Sequence, residues 1–268
     1  MADPSLGLIG GGKMAEAITR AVTASAVYAR GQIVVSDPSP DRRKLFEDLG
    51  IQAESSNDLP ASSPVVILCV KPQQASLVLQ GIRQILRPGA LFISIAAGIS
   101  TGRIARELSR TDVKIVRAMP NTPLMVGKGL TVLSPGPGAT TDDLSVGRRL
   151  FEAGGQVLEL PEDALNAVTA ISGSGPAYVF LLQEALARAG TEVGLSPDDA
   201  ERLARGTIIG AGAMLDYSPR KASELRQDVT SPGGTTEAGI DSLTSDNFMQ
   251  IVTRAVSAAT RRAEELGS

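Results

Sequence analysis

This chain of 268 residues has no histidine, no tryptophan, one cysteine, and only five phenylalanines and three tyrosines. Each shortage removes a class of chemistry. Without histidine there is no Ser-His-Asp triad, no zinc hydrolase site and no histidine-based dehydrogenation of a hydroxy acid. One cysteine cannot close an internal disulfide, and Cys69, inside the apolar run 65–70, reads as a buried, inert thiol. With so few aromatics, no basic run and a net charge of −3, there is neither a phosphate-tracking surface nor a base-stacking platform, so no nucleic acid partner is expected. The longest unbroken aliphatic stretch is again 65–70, far short of the roughly 20 residues of a membrane span. No membrane or metal partner is expected. The N-terminal residues lead almost directly into a strand without the charged and apolar regions of a signal peptide, so a cytoplasmic location is expected. Catalysis in such a chain must rely on a cofactor.

What is present is a core-forming composition, 43% hydrophobic, in a length that holds one large or two ordinary domains. Short β-branched runs at 6–10, 33–36, 65–70, 91–95, 114–118, 130–133 and 157–160 alternate with helical patterns at 14–24, 40–49, 74–85, 101–107 and 141–151. This is the signature of parallel βαβ units. Beyond about residue 161 only helical composition remains, so the expected organisation is an α/β Rossmann-like domain over 1–162 followed by an all-α domain over 163–268. The helices containing Val179-Phe180-Leu181-Leu182 and the run 207–215 are apolar around most of their circumference. An interface with a second copy is the natural cover, and an obligate dimer is expected.

The first strand runs into Gly10-x-Gly12-x-x-Ala15 and then a helix, the order of a dinucleotide fingerprint. Gly10 permits the turn, Gly12 lets backbone approach a pyrophosphate, and Ala15 allows close helix packing. Asp37, 25 residues after Gly12 at the end of the second strand, stands where an acidic ribose ligand would favour NAD. Ser36, Ser39, Arg42 and Arg43 surround it as possible holders of a 2′-phosphate, or the two arginines are simply the solvated face of a helix. Both cofactor choices stay open on these residues. The loops Val70-Lys71-Pro72-Gln73 and Ala96-Ala97-Gly98-Ile99 also follow strands, where ligands collect in open α/β sheets.

Near the other end, Ser231-Pro232-Gly233-Gly234-Thr235-Thr236 joins a glycine turn to hydroxyls and a helix start. Backbone N–H groups and the helix dipole there favour a small anion such as a carboxylate. The plain structural alternative is a helix cap provided by Ser231 or Thr235. Met119-Pro120-Asn121-Thr122-Pro123 admits two readings of equal weight, Asn121 and Thr122 as holders of a nicotinamide amide or a proline-forced extended turn. Ser172-Gly173-Ser174-Gly175-Pro176 opens a helix with proline in its first turn.

Five of these segments, Gly10 to Ala15, Val70 to Pro72, Met119 to Pro123, Ser172 to Tyr178 and Ser231 to Thr236, stand in the order found in pyrroline-5-carboxylate reductases, which the chain resembles over nearly its full length. The resemblance implies a Rossmann domain, a helical dimerisation domain, dimers assembled into larger rings, and the last step of proline synthesis. It implies cofactor contacts at Ile9, Gly10, Gly11, Gly12, Lys13, Met14, Ser36, Asp37, Asn57, Val70, Lys71, Pro72, Ala97 and Gly98. NADPH is the implied donor, with NADH possible because the residue at Asp37 varies in the family. A substrate site is implied at Ser231, Gly233, Gly234, Thr235 and Thr236: Ser231 and the backbone of Gly234 and Thr235 on the carboxylate, and the Thr236 hydroxyl, named as the catalytic group, near the ring nitrogen. The β-hydroxyacid dehydrogenases, which share the domain order, place a catalytic lysine on a helix of the second domain. No lysine occurs between Lys128 and Lys221. A nucleotide sensor without turnover would be marked by a damaged substrate turn, and the turn here is intact.

Overall fold

The computed structural model describes residues 5–267. Its first part is an eight-stranded sheet made of β1 (Leu6–Ile9), β2 (Ile33–Ser36), β3 (Gln52–Glu54), β4 (Val65–Leu68), β5 (Leu91–Ser94), β6 (Lys114–Met119), β7 (Gly129–Pro135) and β8 (Gly155–Glu159). The order is β3-β2-β1-β4-β5-β6-β7-β8, parallel throughout except where β7 runs antiparallel to β6. The chain leaves β1 toward one edge and later returns to β4 on the other side of it. The β1/β4 junction is therefore the switch point where crossovers diverge and a crevice opens beyond the strand ends.

Helices α1 (Lys13–Ala24), α2 (Pro40–Asp48), α3 (Asp58–Ala61), α4 (Pro72–Ile82), α5 (Thr101–Leu108) and α6 (Thr141–Glu152) connect the strands. Two apolar layers result, because alternate strand residues face opposite sides. Leu8, Val35, Ile67, Ile93 and Val116 pack with Ile18 and Phe46 in one layer. Ile9, Leu68, Phe92 and Ile115 pack with Leu79 and Ile104 in the other. A sheet covered on both faces needs continuous apolar strands, which is why Val65-Val66-Ile67-Leu68 shows no alternation. Strand β3 and helix α3 have no counterpart in the sequence reading. Gln52-Ala53-Glu54 lacks a β-branched side chain and is only partly buried at the sheet edge, so it carries no strand signal.

The remaining helices are α7 (Leu165–Val168), α8 (Gly175–Glu192), α9 (Pro197–Tyr217), α10 (Ala222–Asp228), α11 (Thr235–Ser245) and α12 (Phe248–Gly267), with a π-helical turn at Thr169–Gly173. Composition changes near residue 162, yet the sheet-bearing compact unit extends to Ser174 and takes in the chain again from Ala259. Packing explains the difference: Leu165 is fully buried with Met119 and Val132, so this short helical piece belongs to the sheet layer.

The second unit spans Gly175–Ala258, and α8 and α9 pack on each other within it. No residue of α8 is buried in the single chain. Phe180 and Leu181 are 62% and 64% exposed, which demands a covering surface. The run Glu162–Glu192 is long and apolar enough to cross a membrane by length and composition. It escaped the sequence reading because polar residues such as Asn166 and Ser172 break every unbroken apolar stretch.

One buried carboxylate ties α6 to the sheet. Asp143 accepts from the backbone N–H and hydroxyl of Thr140 at 2.8 and 2.6 Å, and from Lys114 Nζ on β6 at 3.0 Å. Burial pushes its carboxyl up, but the Thr140 and Lys114 bonds outweigh this and hold it below the ordinary aspartate value. A depressed folded-state pKa gives stability that is present above the unfolded pKa and is lost as pH falls through the folded one. Asp143→Asn is expected to cost about 1–2 kcal/mol at pH 7. In urea unfolding at matched protein concentration, the gap to the wild type should shrink as the pH is lowered below the ordinary aspartate pKa of about 3.9.

Candidate active site

The glycine loop forms where β1 must turn into α1 beside the end of β4. Gly10 has φ +98°, and a Cβ there would stand 2.9 Å from the backbone of Cys69, so both conformation and space require glycine. Three strand ends meet at this point. The Cys69 N–H donates to Ile9 O at 2.7 Å, and the Gly10 N–H donates to Ser36 O at 2.8 Å. Buried Ser36 donates its hydroxyl to Asn57 Oδ1 at 2.7 Å, which places Asn57 beside the loop. Enclosure pushes the Cys69 thiol up, well above its ordinary value, so its nucleophilic thiolate is suppressed.

Gly12 differs from its neighbours. A Cβ built there meets nothing within 4 Å, and its φ of −68° is open to every L-residue. No contact inside the protein requires glycine at this place, so the open space in front of it is room for something else. Gly12 is the N-cap of α1 and offers no side-chain cap, and Lys13 stands exposed at the first helical position, with Met14 half-buried behind it. The start of α4 is similar: Lys71 is an uncapped, exposed N-cap between half-buried Val70 and Pro72. Two helix N-termini with orphan N–H groups and a lysine each therefore open at the carboxyl ends of adjacent strands, which suits a pyrophosphate.

The residues after β2 are arranged differently from either sequence reading. Asp37 accepts the Gly11 N–H through Oδ2 and the Ser39 N–H through Oδ1, each at 2.8 Å. Arg42 is no solvated helix residue, since its Nε donates to Gly11 O at 2.5 Å. Arg43 bends back onto the carbonyls of Asp37 and Pro38 at 2.8 Å. Ala97 is half-buried, whereas Gly98, at φ +78°, lies buried under the last residues of α12, where a Cβ would stand 2.8 Å from Ala263 O. Packing alone therefore demands glycine at 98.

Asn121 is tied into the protein through both ends of its amide. Its Nδ2 donates to the carbonyl and hydroxyl of Ser172 at 3.3 Å, and its Oδ1 accepts the Leu130 N–H at 2.9 Å. The side chain is a staple joining the end of β6, the start of β7 and the π-helical turn. Sequence reasoning missed this role because the partner residues are 9 and 51 positions away.

In the helical unit, the turn 231–236 is well formed and exposed. Gly233 has φ +69°, and its N–H donates to Glu237 Oε2 at 2.6 Å. The Gly234 N–H donates to Ser231 O at 2.9 Å. Both glycine amides are thus engaged inside the turn, which removes Gly234 N–H from the expected set of carboxylate donors. Gly234 caps α11 without a side chain, leaving the first-turn amides of Thr235 and Thr236 facing outward with the exposed hydroxyls of Ser231 and Thr236 nearby. Glu237, absent from the sequence reading, is what locks the turn.

A sheet of this order, with two uncapped helix starts at its switch point, defines a Rossmann-type dinucleotide-binding architecture. Residues 162–266 match the model for pyrroline-5-carboxylate reductase dimerisation, and residues 5–98 match one described as NADP oxidoreductase, coenzyme F420-dependent. A pyrroline-5-carboxylate reductase of Pisum sativum is 40% identical over 98% of this chain and 96% of its own. A solved pyrroline-5-carboxylate reductase from Coxiella burnetii matches with a TM-score of 0.91 at 37% identity, covering all of both chains. A Plasmodium falciparum pyrroline carboxylate reductase, solved with NADP bound, gives 0.89 at 31% identity, again over all of both chains. The chain belongs to the pyrroline-5-carboxylate reductase family. Its dimerisation region accounts for the apolar helix faces by a partner subunit.

Asn121→Ala should lower the unfolding free energy by about 1 kcal/mol, because it removes the partner of half-buried groups of Ser172 and Leu130. Urea titration at fixed protein concentration measures this.

Proposed function

We propose that this protein reduces 1-pyrroline-5-carboxylate to L-proline with NAD(P)H as hydride donor. The reading is carried by 40% identity to a pyrroline-5-carboxylate reductase across 98% of the chain, with the turn 231–236 intact. NADPH is the proposed donor, supported by the NADP in the Plasmodium relative. The open space at Gly12 and the uncapped starts of α1 and α4 fit a dinucleotide. We further propose assembly of the homodimer into a larger ring, and a cytoplasmic location.

The nicotinamide, when bound, supplies the hydride. The chain's own task is to bind and orient. A cyclic imine accepts hydride most readily at its carbon when the nitrogen is protonated, and such a substrate arrives already carrying that proton. No protein acid is then obligatory, which agrees with a chain that has no histidine. The amides of Thr235 and Thr236, with the Ser231 hydroxyl, are the proposed carboxylate holders, favoured by the positive end of the α11 dipole. The Thr236 hydroxyl is the proposed partner of the ring nitrogen, orienting it and passing its proton through water. A threonine hydroxyl is too weak an acid to serve alone, so its contribution is one of alignment, which supplies several kcal/mol of barrier reduction in well-oriented reactions.

The test is oxidation of NADPH and NADH by purified protein supplied with pyrroline-5-carboxylate. Rapid turnover, faster with NADPH, is expected, and no turnover with either donor would overturn the reading. Thr236→Ala should reduce kcat by about tenfold or more with cofactor affinity unchanged. Gly12→Val should abolish cofactor binding while the fold is kept, because a Cβ at Gly12 meets no protein atom within 4 Å and replacing glycine at the α1 N-cap costs only about 1 kcal/mol, read as a small fall in thermal midpoint.

A further inference from the structure

Gly11 is gripped through both of its backbone polar groups. Its N–H is held by Asp37 and its carbonyl by Arg42, at 2.8 and 2.5 Å. Arg42 is held in turn. Its Nη2 pairs with Glu16 Oε2 at 3.1 Å, and its guanidinium lies 5.8 Å from the ring centre of fully buried Phe46. The other Glu16 oxygen pairs with Arg20 at 3.0 Å. A continuous chain of charge-assisted bonds therefore links α1, the glycine loop and the start of α2.

Glu16 is the unexpected member. It is a carboxylate one turn into α1, beside the opening proposed to receive an anionic cofactor, and its side chain is only 12% exposed. Burial pushes its carboxyl up, but the bonds from Arg20 and Arg42 prevail and hold it below the ordinary glutamate value, so it is charged at neutral pH. By Coulomb's law alone, a negative charge here opposes anion binding. Its place is explained by Arg42: with Glu16 fixing one arm of the guanidinium, Nε is aimed at Gly11 O. Two of the Arg42 donor nitrogens are thereby committed to the protein.

We propose that Glu16 and Arg42, with Asp37, are positioning residues that hold the glycine loop in its binding shape, and that Arg42 does not read the ribose 2′-phosphate. This rests on the dinucleotide reading given above. The consequence is a reversal of sign. If Glu16 acted through its charge, removing that charge would tighten cofactor binding. As part of a brace, its removal weakens binding, and it weakens NADPH and NADH alike.

The experiment measures dissociation constants of NADPH and NADH by nicotinamide fluorescence on the intact protein, for wild type, Glu16→Gln and Arg42→Met. Thermal midpoints report folding, and amide hydrogen exchange of residues 10–13 is followed without cofactor. Each variant is expected to weaken both cofactors by about 3- to 10-fold, as loss of a charge-assisted bond implies. The NADPH to NADH ratio should stay within about twofold of the wild type, since neither residue touches what distinguishes the cofactors. Loop exchange should quicken in both variants. Unchanged or tighter binding in Glu16→Gln, or selective loss of NADPH in Arg42→Met, would overturn the proposal. Should the wild type bind neither nucleotide, the cofactor reading itself falls, and unaltered loop exchange in the variants would separately overturn the brace.

Discussion

The passage of Gly10 against the backbone of Cys69 is the constraint from which the rest of the nucleotide half follows. The chain must leave β1, pass the end of β4 within a distance that excludes any Cβ, and enter α1 within three residues. Only a positive φ achieves the turn, and only the absent side chain permits the approach. The turn sets where α1 begins, and the closeness brings the uncapped starts of α1 and α4 side by side. Ala15 and Ala17, both buried, let the helix lie close on the strands. A larger residue at Gly10 would push apart strands that share a full register.

Much of this was legible in the sequence because it rests on local rules. Apolar tetrads bounded by turn residues declared the buried parallel strands, and Gly10-x-Gly12-x-x-Ala15 declared the loop. The sudden end of strand signals near 161 declared the helical part. What stayed illegible depends on partners distant in the chain. Arg42 looks like any arginine on a helix face until Gly11, 31 residues earlier, is brought beneath it. Asn121 looks like a turn residue until Ser172 arrives. Residues 163–174 have helical composition, and nothing local says that Leu165 will pack with Met119 and Val132. Glu237 was passed over because its use, holding the Gly233 N–H, follows from a turn geometry that residue types alone do not specify.

The absence of histidine, which first looks like a deficit, is consistent with the kind of work the site performs. A substrate that carries its own proton asks for placement rather than acid strength, and placement is what backbone amides, threonine hydroxyls and rigid turns provide. Both proposed sites use the same device: a glycine turn, locked by a carboxylate that accepts one of its amides, leading into a helix start. The first carboxylate stands in the loop after β2 and the second in the first turn of α11 itself. Asp37 locks the first through Gly11, and Glu237 locks the second through Gly233. In each case the carboxylate is fixed on the protein, and the donors left over face outward.

The helix α8, with no buried residue in the single chain, makes solvent the wrong neighbour for an entire structural element. A subunit emerging alone from synthesis carries Phe180, Leu181 and Ile209 on its outside, so its survival is a race between meeting a sister chain and meeting anything else that is greasy. Cellular abundance thereby becomes a folding parameter. Below some concentration the free subunits outnumber the paired ones, and the loss of enzyme with falling expression is steeper than the loss of polypeptide.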